Sequence, residues 1–199
     1  LASVSAAAIG IILLIKKCTF YQKENEAGRL YMQNKKTVAV LLTRQHSIFS
    51  NFIYMISGRG YTHASIALDS TYDCFYSFNF KGFCIERPRR RKHTQRQRKS
   101  ICYQFDVSEA AYENVKKLIL EFADNQNEYQ YSRLGIFLCM LRIPHRFRKQ
   151  YFCSQFVAEM LSASGAVRLK RHTSLYLPNQ FVKELECQPC LCRVLYNAV

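Results

Sequence analysis

Two side chains in this sequence have the chemistry to make and break an acyl bond together: Cys153 and His63. Cys153 lies in Tyr151-Phe152-Cys153-Ser154-Gln155-Phe156-Val157, where the helical spacing predicts the first turn of a helix. Unpaired backbone N–H groups and the positive end of the helix dipole meet there, and both favour thiolate over thiol. The thiolate is the nucleophilic form, so the place suits covalent catalysis. A buried apolar cysteine is the plainer alternative in a chain that carries nine cysteines. His63 opens the strand-like run His63-Ala64-Ser65-Ile66-Ala67-Leu68, after the segment Ser57-Gly58-Arg59-Gly60-Tyr61-Thr62. An imidazole at a strand end projects toward a cleft, where it can take the thiol proton and return it to a leaving group. His46, His93, His145 and His172 have no apolar strand to position them.

A base of this kind needs a third group that fixes its tautomer. If residues 63–80 form a hairpin, a three-residue loop between Asp69 and Asp73 sets His63 opposite Asn79, and a register shifted by two sets Ser77 there instead. Either side chain can bond a ring nitrogen, and Phe78 between them points to the other face. Asn79 is favoured on that geometry.

The elements that must carry these residues follow from hydrophobic pattern. Thr37 to Thr43 is a continuous apolar run, suited to a strand buried on both faces. Ser47 caps a helix in which Ile48, Phe52 and Ile56 recur at helical spacing, ending near Gly58 and Gly60. Cys74 to Phe80 is a second run beside the His63 strand, and Ile101 to Val107 alternates as a strand with one wet face. Ser108 caps a helix with Ala111, Val115, Leu118, Ile119 and Phe122 on one side. A further helix spans Arg133 to Leu141 before Pro144, and the last begins near Tyr151 and stops at Gly165. Strands first and helices mainly second predict an α+β domain over 37–186.

Tyr61-Thr62-His63-Ala64-Ser65-Ile66-Ala67-Leu68, Tyr76-Ser77-Phe78 and Tyr151-Phe152-Cys153-Ser154-Gln155-Phe156-Val157-Ala158-Glu159-Met160-Leu161 together resemble the circularly permuted papain-like superfamily. That group includes YiiX/YaeF-type amidases, relatives of NlpC-type peptidases, and lecithin retinol acyltransferase. In the permuted branch the histidine strand precedes the cysteine helix, as His63 precedes Cys153 here. The resemblance implies a papain-like (NlpC-type) fold, an antiparallel sheet packed against helices, with Cys153 as nucleophile and His63 as base. Several relatives carry Glu or His at the third position, and residues 75–79 here contain neither. Tyr61 and the backbone N–H of Cys153 are candidates to hold an oxyanion, and Thr43 to line the same cleft. The resemblance thus implies a cysteine hydrolase, an amidase or peptidase working through a thioester, on a peptide-like amide or a lipid. It implies no cofactor. The alternatives are a catalytically inactive membrane- or nucleic-acid-binding protein on the same fold, and a lipid-directed acyltransferase.

Charge and composition bound the rest. A chain of 199 residues with 49% hydrophobic and 14% aromatic residues excludes disorder as its main state. Lys and Arg number 29 against 14 acids, and eight of those bases lie between Arg87 and Lys99. That insertion, with Arg89, Arg90, Arg91 and Lys92 at its centre, is a solvated loop or a patch for an anionic partner. It has no aromatic residue for base stacking, which disfavours nucleic acid. Arg142, Arg146, Arg148 and Lys149 can extend one basic rim around the cleft. Residues 1–17 form an apolar N-terminal segment ending in Lys16-Lys17, read as a membrane anchor, a signal-type region or a packed helix. Residues 18–36 read as a connector and 187–199 as a cysteine-containing tail. Cys187, Cys190 and Cys192 lack a second pair for a zinc site, so no metal is expected. Nine unframed cysteines fit a reducing, cytoplasmic location, with membrane association through the first segment.

Overall fold

The computed structural model describes residues 36–68, 73–88 and 99–198. The apolar N-terminal segment, the connector up to Lys35 and the insertion residues Arg89, Arg90, Arg91 and Lys92 lie outside the described residues.

The run that begins at Lys36 forms β1 (Lys36–Thr43) at the centre of a six-stranded antiparallel sheet. Its neighbours are β2 (His63–Ala67) and β5 (Ser100–Val107). Beyond β2 come β3 (Phe75–Asn79) and β4 (Gly82–Glu86), and beyond β5 comes β8 (Leu191–Tyr196), giving the order β4-β3-β2-β1-β5-β8. The apolar run of β1 is used on both faces. Val38, Val40 and Leu42 join the main core, and Ala39 and Leu41 pack with Ala67, Phe75 and Cys102 on the reverse side.

Among the described residues five α-helices accompany the sheet: α1 (Ile48–Ile56), α2 (Glu109–Asp124), α3 (Arg133–Met140), α4 (Cys153–Ala163) and α5 (Phe181–Glu186). Ser47, Ser108 and Ser132 cap the first three, each accepting an N–H from three residues on. The α+β class with an antiparallel sheet is as expected. Two-residue strands β6 (Gln130–Tyr131) and β7 (Gln150–Tyr151) pair in parallel on either side of α3.

Three local expectations need correction. The Ile101–Val107 strand has no wet face: Cys102 and Gln104 are buried, because Leu195 and Ala198 pack behind the sheet on that side. The segment expected as a tail is β8, paired with β5 through Gln104↔Arg193 and its neighbours. The cysteine helix starts at Cys153 rather than near Tyr151, since the Tyr151 carbonyl accepts the Ser132 N–H and holds Gln150–Tyr151 extended.

Candidate active site

Helix α4 is buried all round: every residue from Cys153 to Leu161 is inaccessible or nearly so. It packs on β2, β3 and α2. Rings lock it there. Phe156 lies 5.2 Å from Phe78 of β3, 5.7 Å from Phe83 of β4 and 5.1 Å from Phe122 of α2, and Phe78 also meets Tyr151 at 5.4 Å. Each such pair contributes about 0.5–1.5 kcal/mol beyond its burial. The helix that carries the thiol and the two strands beyond β2, which carry Ser77 and Glu86, are therefore held by one aromatic cluster.

The Cys153 thiol, at the first position of α4 and 4% exposed, is within hydrogen-bond reach of the His63 ring. His63 starts β2 and is itself 6% exposed. Its Nε2 lies 2.8 Å from Glu86 Oε1 and 3.3 Å from Ser77 Oγ. Ser77 donates its own proton to the Ala64 carbonyl at 2.7 Å, so toward the ring its hydroxyl can only accept. A carboxylate also only accepts. Both partners therefore require the proton on Nε2, which leaves Nδ1 to serve the thiol.

Glu86 is the residue that sequence reasoning missed. It enters through a tight hairpin. Asn79 pairs with Gly82 across the two-residue turn Phe80-Lys81, and that register brings Glu86 opposite Phe75, on the strand face that also carries Ser77. Gly82 has φ +105°, and a Cβ there would lie 2.5 Å from the Tyr129 carbonyl oxygen, so the turn requires glycine on both counts. The alternation Phe83/Ile85 against Cys84/Glu86 after a glycine was the available signal, but the basic run beginning at Arg87 masks a strand this short.

The other candidate residues separate clearly. The β2–β3 pairing Ile66↔Tyr76, counted onward, does set His63 opposite Asn79. The Asn79 carboxamide, however, is turned into the hairpin, where its oxygen accepts the Lys81 N–H at 2.8 Å, and the residue is exposed. The side chains on the His63 Nε2 are instead Glu86 and Ser77. Tyr61 is also corrected: it is buried, and the groups acting on its phenol are Tyr196 and Glu186, on the side where Tyr103 donates to Glu186 at 3.1 Å. Thr43 ends β1 opposite His63 and its carbonyl accepts the Thr62 N–H, so it braces the base through the backbone. Tyr131 was not anticipated. It follows Gln130 in β6 and pairs with Tyr151 two residues before the thiol, and its phenol pKa is raised by burial first and then by the charge of the Cys153 sulfur.

Burial opposes a charge on His63, but the Glu86 carboxylate and then the Cys153 sulfur outweigh it, and the ring is held well above its ordinary range. Burial pushes Cys84 and Cys139 up to about 12. The eight described cysteines are all free thiols, and among the described residues no group of three or more His, Cys, Asp or Glu is placed to hold a metal ion.

The chain matches no protein-family model and no curated protein sequence.

A pKa raised on folding stabilises the folded state fully below the unfolded value of about 6.5, and the contribution disappears as pH climbs through the native value. Glu86→Gln should accordingly lower the melting temperature by about 2–6 °C near pH 6 and by much less near pH 10. Thermal scans at both pH values check this; an equal loss at each would assign Glu86 a packing role only.

Proposed function

We propose that this protein is a cysteine amidase, peptidase or acyltransferase whose Cys153, His63 and Glu86 form a catalytic triad on a permuted papain-like arrangement. The observation that carries the reading is a thiol on the first residue of a buried helix, in reach of an imidazole whose far nitrogen is held by a carboxylate. In the reaction, Nδ1 of His63 takes the thiol proton and the Cys153 sulfur attacks an amide or ester carbonyl. The tetrahedral oxyanion is met by backbone N–H groups of the first turn of α4, which have no partner within the helix. The C–N or C–O bond breaks, His63 protonates the leaving group, and water or another acceptor cleaves the thioester. Glu86 keeps the ring oriented and stabilises the imidazolium. Order along the chain, histidine strand before cysteine helix, supports the permuted reading. Free thiols fit a reducing, cytoplasm-facing compartment.

The test is selective alkylation. Iodoacetamide followed by peptide mass spectrometry should label Cys153 at least about tenfold faster than Cys139 at neutral pH, because Cys153 has the His63 imidazole as a hydrogen-bond partner and Cys139 is held in thiol form by burial. His63→Ala should remove that advantage. Equal rates at Cys153 and Cys139, unaffected by His63, would sink the enzyme reading.

A further inference from the structure

The exposed faces of α1 and α3 are oily where a water-facing helix is normally polar. On α1, Ile48 is 94% and Met55 70% exposed, and Phe52 lies on the same stripe; only Ser50 and Ile53 turn inward. The apolar spacing that suggests a core-facing helix in the sequence is thus presented outward. On α3, Leu134 and Phe137 are more than half exposed, and so is Leu141 at its C-cap, again one stripe at three- and four-residue spacing. The two helices are tied from beneath by Ile53, Ile136 and Cys139, which pack with Phe152, the residue before the thiol. Phe80, half exposed on the β3–β4 turn, joins them at the surface: its ring lies 5.1 Å from Phe49 of α1 and 4.9 Å from Tyr131.

Along these two stretches of chain the charge has one sign. Neither 36–68 nor 129–158 contains an Asp or Glu, whereas they hold Lys36, Arg44 and Arg59, and Arg133, Arg142, Arg146, Arg148 and Lys149. Arg146 and Lys149 pair with Glu159 and Glu128. The Arg133 guanidinium instead lies 5.6 Å from the centre of the Phe80 ring, at the junction of the two stripes. Soluble monomers rarely expose apolar patches of more than a few hundred Å² without a partner. A surface combining Ile, Leu, Phe and Met with arginine is complementary to lipid acyl chains beneath phosphate headgroups.

We propose that the outward stripes of α1 and α3, joined through Phe80 and edged by Arg133 and Arg142, seat this protein on an anionic lipid bilayer. This rests on the active-site reading only for its consequence: a catalytic Cys153 on a protein seated on a membrane would take its acyl group from a membrane-borne ester or amide. The binding surface itself stands without that reading.

The experiment uses the full chain and the exposed variant Ile48→Ser/Met55→Ser/Phe137→Ser/Leu141→Ser, none of which belongs to the site. Flotation with phosphatidylcholine vesicles, with and without phosphatidylserine, is expected to show preferential binding to the anionic vesicles. The variant should bind at least about tenfold more weakly, from the loss of four inserted apolar side chains. Arg133→Ala/Arg142→Ala should lose the preference for phosphatidylserine. Amide hydrogen exchange should show vesicle-dependent protection at 48–56 and 134–143. Undiminished flotation of the fourfold variant would overturn the proposal and place any binding elsewhere in the chain. A dimer in sedimentation that the fourfold variant dissociates, with no vesicle protection of these helices, would overturn it in favour of self-association. Iodoacetamide labelling of Cys153 should be unchanged in the fourfold variant, so failure of the surface and failure of the triad are read separately.

Discussion

Cys153→Ala is expected to abolish acyl transfer, lowering kcat/KM on a reporter such as a p-nitrophenyl alkanoate or a peptide p-nitroanilide by about 10⁴-fold or more. No thioester can form without the sulfur, so the acyl-enzyme mass seen in wild type after brief mixing should vanish as well. The substitution removes one heavy atom from a site that is 4% exposed, a cavity cost of about 1 kcal/mol, and the melting temperature should move by only a few degrees. Loss of activity with the fold retained is the informative combination. Retained turnover, or an acyl adduct on Cys84 or Cys139 instead, would remove Cys153 from the mechanism.

The second large effect belongs to His63. His63→Ala should lower kcat by about 10³-fold, since the imidazole acts as base in one half-reaction and acid in the other. The residual rate should rise steadily with pH, following an unassisted thiol, where wild type shows a plateau or bell. Asn79→Ala makes the control. Its carboxamide serves the hairpin by accepting the Lys81 N–H and does not touch the ring, so activity should stay within about twofold of wild type. If Asn79→Ala costs as much as His63→Ala, the third member has been assigned to the wrong strand. A His63→Ala enzyme within tenfold of wild type would overturn the base assignment.

These two experiments bear on a site only partly visible in the chain. Cys153 and His63 stood out because each marks the start of an element that pattern alone defines: an apolar helix ended by Gly165, and a short apolar strand after glycines. Ser77 followed from strand period, which turns it and Phe78 to opposite faces, and the ring cluster around Phe78 agrees with that parity. Glu86 did not follow. Its contact with His63 spans 23 residues and depends on two successive registers, β2 with β3 and β3 with β4, and a one-residue slip in either would turn the carboxylate away.

The same division runs through the whole molecule. Local pattern was sufficient for the central strand, the three serine caps, the α+β class and the two residues, His63 and Cys153, that begin β2 and α4, because those depend on propensity and periodicity within about fifteen residues. Which stripes face out, what covers β5, where β8 pairs and which carboxylate meets the imidazole are long-range matters. A stripe such as Ile48, Phe52 and Met55 looks identical in sequence whether it is buried or exposed. Only the packing of Ile53 against α3 and Phe152 decided that it faces outward. Hydrophobic burial is non-directional, so the chain's own periodicity names a face but not the surface it meets.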